Sequence, residues 1–144
     1  MLPATLNVNT AKSQFTELVR GSSEAFKVYR VKNGLRRNAP GSLILGEDAL
    51  RMLLAQFQIH PQWEEDGEQG LWTVYAPELD VYGQGSTREE AAADLMEAAQ
   101  EYAELYLEDP QFNFKVGRKD HFPFVILVAL AAGNPDQVRA ALGL

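Results

Sequence analysis

Leu6-Asn7-Val8-Asn9-Thr10-Ala11-Lys12-Ser13-Gln14-Phe15-Thr16-Glu17-Leu18 is the stretch from which the fold is read. Leu6-Asn7-Val8 alternates apolar and polar residues and predicts a short strand. Asn9 or Thr10 offers a side-chain oxygen to cap a following helix. In that helix Phe15, Leu18 and Val19 recur at i, i+3 and i+4, so they share one face. Gly21 is expected to end it, because glycine tolerates the left-handed conformation that follows a helix.

Working outward, Ala25 to Val31 alternates and predicts a strand. Asn33-Gly34 is a tight-turn dipeptide, and Leu35 to Gly41 reads as a longer loop carrying Arg36 and Arg37. Ser42 to Leu45 returns as a strand. Glu47 and Asp48 favour the start of a helix, where acids oppose the positive end of the dipole, and that helix is expected to reach about Phe57. Residues 1–57 thus read as a small β-α-β-β-α head.

A second module is expected over residues 58–144. His60 to Glu65 and Leu71 to Ala76 predict two strands around the turn Asp66-Gly67-Glu68-Gln69-Gly70, with a very short third strand at Val81-Tyr82 broken by Gly83-Gln84-Gly85. Thr87-Arg88-Glu89-Glu90 fits a capping box for a long helix to Glu108, with Ala91, Leu95, Ala98, Tyr102 and Leu105 as its apolar face. Phe112 to Val116 is expected to be a strand. Asp120 should cap an apolar helix to Ala132 with Pro123 in its first turn, and Asp136 to Leu142 forms a last short helix. The fold class expected is α+β.

Charge separates the two modules. The whole chain carries −7, which argues against a polyanionic partner. Residues 1–60, however, hold eight basic and four acidic residues, a net +4, while residues 61–144 hold five basic and sixteen acidic, a net −11. Local potential steers a polyanion, and whole-chain charge does not. Lys12, Arg30, Lys32, Arg36 and Arg37 are the candidate DNA contacts. Lys12 is expected in the first helical turn beside free amides, and the other four lie around one hairpin, where arginine suits bidentate contact with phosphate or guanine.

Catalysis finds little footing. There is no cysteine, which excludes thiolate chemistry and disulfides and fits a reducing cytoplasm. His60 and His121 are far apart and lack metal-ligand spacing. Gly83 to Thr87 lacks the lysine of a phosphate-binding loop. Asp80, Glu89, Glu90 and Asp94 as a nuclease cluster is a weaker reading than a solvated acidic face. No enzyme, cofactor or metal is expected. The apolar stretch Phe124 to Ala132 is too short to cross a bilayer of about 30 Å, so a cytoplasmic protein without membrane contact is expected.

Residues 6–18, Val28-Tyr29-Arg30-Val31-Lys32-Asn33-Gly34 and Leu43-Ile44-Leu45-Gly46-Glu47-Asp48-Ala49-Leu50 together resemble the Phd/YefM antitoxin family. The resemblance implies a dimer, or a higher homo-oligomer, that binds operator DNA through the start of its first helix, with Lys12 and Arg30 at matching places. Trp72-Thr73-Val74-Tyr75-Ala76-Pro77-Glu78-Leu79 followed by Gly85-Ser86-Thr87-Arg88-Glu89-Glu90-Ala91 resembles the HicB antitoxins, with Ser86 where those carry Asp. That implies a partial, catalytically silent RNase H-type sheet that holds an RNase toxin. The function expected is a type II antitoxin and autorepressor. The alternative is a protein-interaction or oligomerisation module without DNA binding. Phe122, Phe124 and Leu127, on the apolar helix, are the candidate toxin or partner contacts.

Overall fold

The computed structural model describes residues 4–32 and 40–144. The Asn33-Gly34 turn, most of the following loop, and with them Arg36 and Arg37, lie outside the described residues. The chain divides into two compact units, residues 1–53 and 54–144. Among the described residues there are two three-stranded sheets and seven α-helices, a mixed α+β architecture.

The first unit opens with β1 (Ala4–Asn7), α1 (Val8–Ser13) and α2 (Phe15–Ala25). Val8 begins the helix instead of ending the strand, so Asn7, not Asn9 or Thr10, is the cap. Its extended backbone leaves the side chain free to accept from the Thr10 amide at 2.8 Å. The expected single helix is two, broken at Gln14, where Ser13 Oγ turns back to donate to the Thr10 carbonyl. Gly21 lies inside α2 and does not end it. The Tyr29 hydroxyl occupies the space that a Cβ there would need. The helix ends instead at Phe26, left-handed at φ 53°, which lets the next amide, that of Lys27, donate to the Gly21 carbonyl at 3.1 Å.

That later ending delays the next strand. β2 (Tyr29–Lys32) starts four residues after the expected Ala25. It pairs parallel with β1, with Leu6 opposite Val31, and antiparallel with β3 (Ser42–Ile44), with Tyr29 opposite Ile44. Then α3 (Glu47–Leu54) begins on two acids as expected but ends short of Phe57. Of the face assigned to the first helix, Leu18 is buried while Phe15 and Val19 stand exposed.

The second unit is a meander, β4 (Gln62–Asp66), β5 (Leu71–Ala76) and β6 (Val81–Gly85), antiparallel throughout. Asp66 Oδ1 accepts from the amides of Glu68 and Gln69 at 3.0 and 3.2 Å, which shapes the first turn. One sheet face carries Trp72, Val74, Ala76 and Val81 towards α4 (Arg88–Glu108). Gly83 and Gly85 do not break β6, contrary to the sequence reading; they are part of it. A Cβ at Gly83 would run into the Ala91 carbonyl and the Leu95 amide, and one at Gly85 into Glu90 and the Ala91 amide. The strand needs two glycines because the helix backbone lies directly on it.

The buried stripe of α4 is Ala91, Ala92, Leu95, Ala99, Ala103 and Tyr106, one position round from the expected face; Leu105 points to solvent at 65% exposure. The expected face followed the larger side chains, but close approach selects the alanines. Next, α5 (Pro110–Lys115) replaces the strand expected at Phe112 to Val116. Asp109 Oδ1 accepts from the Phe112 amide at 3.1 Å and Pro110 opens the helix, so capping chemistry overrides the alternating pattern. A 3-10 turn at Lys119–His121 holds Asp120, which does not cap α6 (Phe122–Ala131). Asn134 does cap α7 (Pro135–Ala141), accepting from the Gln137 amide.

Tyr106, the bulkiest fully buried side chain, donates its hydroxyl to the Arg118 carbonyl at 2.7 Å, while Asn113 donates to the carbonyls of Tyr106 and Asp109. These bonds fasten α5 and the 3-10 turn to α4. Gly83→Ala is expected to cost about 1–3 kcal/mol by overpacking the β6–α4 contact. Gly67→Ala, at a position with nothing within 4 Å of an added Cβ, should change stability by less than about 0.5 kcal/mol; urea unfolding midpoints of the two variants check this.

Candidate partner-binding surfaces

On the first unit, Arg30 and Lys32 are both exposed and, two residues apart on β2, share one face of the sheet. Thr5 and Asn7 of β1 and Leu43 of β3 stand beside them in register. Lys32 therefore lies opposite Asn7, the residue that caps α1. Lys12 is exposed but sits in the last turn of α1, not the first turn where it was expected. The early start of the helix moves it one turn from the free amides. Arg36 and Arg37 lie outside the described residues.

The same unit leaves an unusual amount of apolar surface uncovered. Val8, Phe15, Val19, Phe26, Leu43 and Met52 are all exposed, Phe15 at 60% and Met52 at 71%. Among the described residues its buried apolar side chains are only Ala11 and Leu18. A core that small is marginal on its own, and each large side chain brought from solvent into contact contributes roughly 1.5–3 kcal/mol.

On the second unit the candidate partner residues do not form one site. Phe122 and Phe124 line a cavity of about 490 Å³ together with Phe57, Phe114 and Pro123. Phe57 meets Phe124 edge-on at 5.7 Å, and Phe114 meets Phe122 at 5.8 Å. Leu127 lines a different cavity, of about 310 Å³, with Phe57, Ile59 and Ala141 among its neighbours. Beside the aromatic cavity, Tyr102 Oη and His121 Nδ1 share a 2.6 Å hydrogen bond. Burial, reinforced by the Arg118 charge, holds His121 below its ordinary pKa, and burial raises Tyr102.

The carboxylates weighed as a nuclease cluster each have a structural partner. Asp80 accepts from the Tyr75 hydroxyl at 2.9 Å, a bond that pushes the Tyr75 pKa up to about 12. Asp94 accepts from the Gln84 amide and so fixes α4 to β6. Glu90 accepts from the Ser86 amide at 2.7 Å while its own amide donates to Thr87 Oγ1, the expected box displaced by one residue. Glu89 pairs with Arg139 of α7. Among the described residues no three His, Cys, Asp or Glu side chains converge on a metal position. Arg88 stacks over Trp63 at 4.3 Å from the ring centre and is 5.2 Å from that of Trp72. His60 pairs with Glu78 at 2.9 Å.

Sequence reading passed over the far part of α4. Glu97, Glu101, Glu104 and Glu108 recur at every turn, all exposed, in a helix whose one basic residue is Arg88 at the other end. Like charges at i, i+4 destabilise a helix by roughly 0.2–0.5 kcal/mol per pair. Acids near the negative end of the dipole add a similar penalty, roughly 0.3–1 kcal/mol. A groove of about 480 Å³ runs beside Glu97, Glu101 and Glu104, from Ala93 to Pro135, and a second of about 270 Å³ continues it between Leu107 and Ala129. The spacing of these acids was visible in the sequence, but the groove requires the packing of α6 on α4.

Comparison with known proteins fits this architecture. The profile of the PHD-like family, described as antitoxins of RelE/RelB toxin–antitoxin systems, matches residues 1–143, through both units. The chain belongs to this family of antitoxins. Its fold is similar to a crystal structure from Syntrophomonas wolfei subsp. wolfei, titled as an antitoxin part of a proposed toxin/antitoxin system. The TM-score is 0.77 and the identity 24%, over 95% of this chain and 94% of that one. No curated protein matches the chain. No helix of the described residues is long and apolar enough to cross a membrane.

His121 gives a test of the packed aromatic end. Its folded-state pKa is depressed, so its contribution to stability is present in full above the ordinary value of 6.5 and is lost as pH falls from there towards the lowered value. The stability gap between wild type and His121→Gln should therefore be wider at pH 7.5 than at pH 5, measured by urea unfolding at both.

Proposed function

We propose that this antitoxin works as a homodimer, or a higher homo-oligomer, that binds its own operator through the head and neutralises a protein toxin through the acidic body. The observation that carries the reading is the division of surfaces. Exposed Arg30 and Lys32 share a sheet face on a unit rich in uncovered apolar side chains, while the body concentrates the acids.

Lys12, Arg30, Lys32, Arg36 and Arg37 are the proposed phosphate and base contacts. One copy offers few such contacts, and a two-fold dimer doubles them and sets a half-site spacing. Phe15, Val19 and Met52 are proposed to cover one another across the dimer. The HicB likeness of the body, three antiparallel strands under one long helix, supports a toxin of the RNase type, held by surface complementarity. The aromatic cavity at Phe122 and Phe124 and the cavity at Leu127 are proposed contacts on that unit. The chain's role is binding, without catalysis, in the cytoplasm.

Wild-type protein should shift DNA from upstream of its own gene at low salt. Arg30→Ala/Lys32→Ala should reduce the slope of log affinity against log salt by about 3.6, at about 0.9 for each of the four phosphate contacts the dimer would lose. Phe15→Asp should convert the dimer to a monomer by light scattering and weaken the shift. No shift by wild type at low salt would favour the interaction-module reading and remove the operator half of this one.

A further inference from the structure

We infer that the acid-rimmed groove along α4 is the seat for a basic amphipathic helix of the partner protein. The inference rests on the toxin-binding reading and specifies its surface. The groove has an apolar floor, with Met96, Leu107 and Ala129 among its lining, and a rim of Glu97, Glu101 and Glu104. None of the three rim acids forms an ion pair among the described residues.

Shape selects a helix. From Ala93 to Leu107 the lining spans about 21 Å of α4, at about 1.5 Å per residue. The rim acids recur at i, i+4 and i+7, once per turn of about 5.4 Å. A helix lying alongside presents cations at the same pitch. A strand places same-side residues about 6.6–6.8 Å apart and drifts out of step within three turns.

Charge selects a basic partner. The second unit carries most of the chain's acids, so the body of a second copy laid into this groove would bring more negative charge than it neutralises, and nucleic acid would be repelled. The acids also oppose both the like-charge spacing rule and the dipole of their own helix. Local choices that work against the helix mark places where something other than folding is served. A bound cationic helix turns these repulsions into attraction while its apolar stripe covers Met96 and Leu107.

The test uses the full chain and a fluorescent synthetic peptide of about 15 residues, built from Leu, Ala and Lys with Lys at helical spacing. Binding is read by anisotropy at low salt, and the peptide's helix gain by circular dichroism. Glu97→Gln/Glu101→Gln/Glu104→Gln should weaken binding about tenfold. Glu64→Gln/Glu65→Gln/Glu68→Gln, which removes the same charge from the first strand and turn of the sheet, should leave it unchanged. A peptide of identical composition with alternating Leu and Lys should bind more weakly than the helical one. Equal weakening by both triple variants, or equal binding of both peptides, would overturn the proposal. Failure of the toxin reading shows elsewhere, as absent neutralisation with peptide binding to the groove intact.

Discussion

The contact between β6 and α4 is the constraint on which the body depends. Gly83 and Gly85 bring the strand so near that helix backbone atoms occupy the places of their missing side chains. Asp94 then fastens helix to strand through the Gln84 amide, and Glu90 closes the end of the turn. With that face of α4 committed to the sheet, its alanines become the buried stripe. Leu105 is left outside, and Glu97, Glu101 and Glu104 rim the groove that α6 completes. Position along one helix thus fixes which residues form core and which form surface.

The head is built on the opposite principle. Its buried core is slight, while Phe15, Val19 and Met52 face outward. A body with a continuous core, from Ile59 through Val74, Leu95 and Val128 to Leu142, is stable through its own packing. The head's apolar surface favours association, and its exposed Arg30 and Lys32 provide charge beside it. The two kinds of surface suit the two proposed tasks, contact with a polyanion and contact with a protein.

Much of this was legible in the chain. The order of elements in the head, the turn at Asp66 to Gly70, the capped start of α4 and the final short helix follow from local chemistry that does not need the tertiary fold. The misreadings are of another kind. Asn7 caps because the strand ends one residue earlier than alternation implied. Gly21 and Gly83 were read as breakers, because glycine signals a turn and a close approach in the same way until the neighbour is known. Phe112 to Val116 alternates like a strand, yet Asp109-Pro110 opens a helix and Asn113 buries its amide against Tyr106 and Asp109. The candidate contacts differ in how far local pattern places them. Arg30 and Lys32 share a face by simple alternation, whereas Phe124 and Leu127, three apart on an all-apolar helix, line separate cavities.

The central claim is that this chain neutralises a toxin, and growth is its most direct measure. The product of the adjacent reading frame is expressed from an inducible promoter, alone and together with this chain. The account predicts arrest by the neighbour alone and restored growth on co-expression. A harmless neighbour, or arrest that this chain does not relieve, would contradict it.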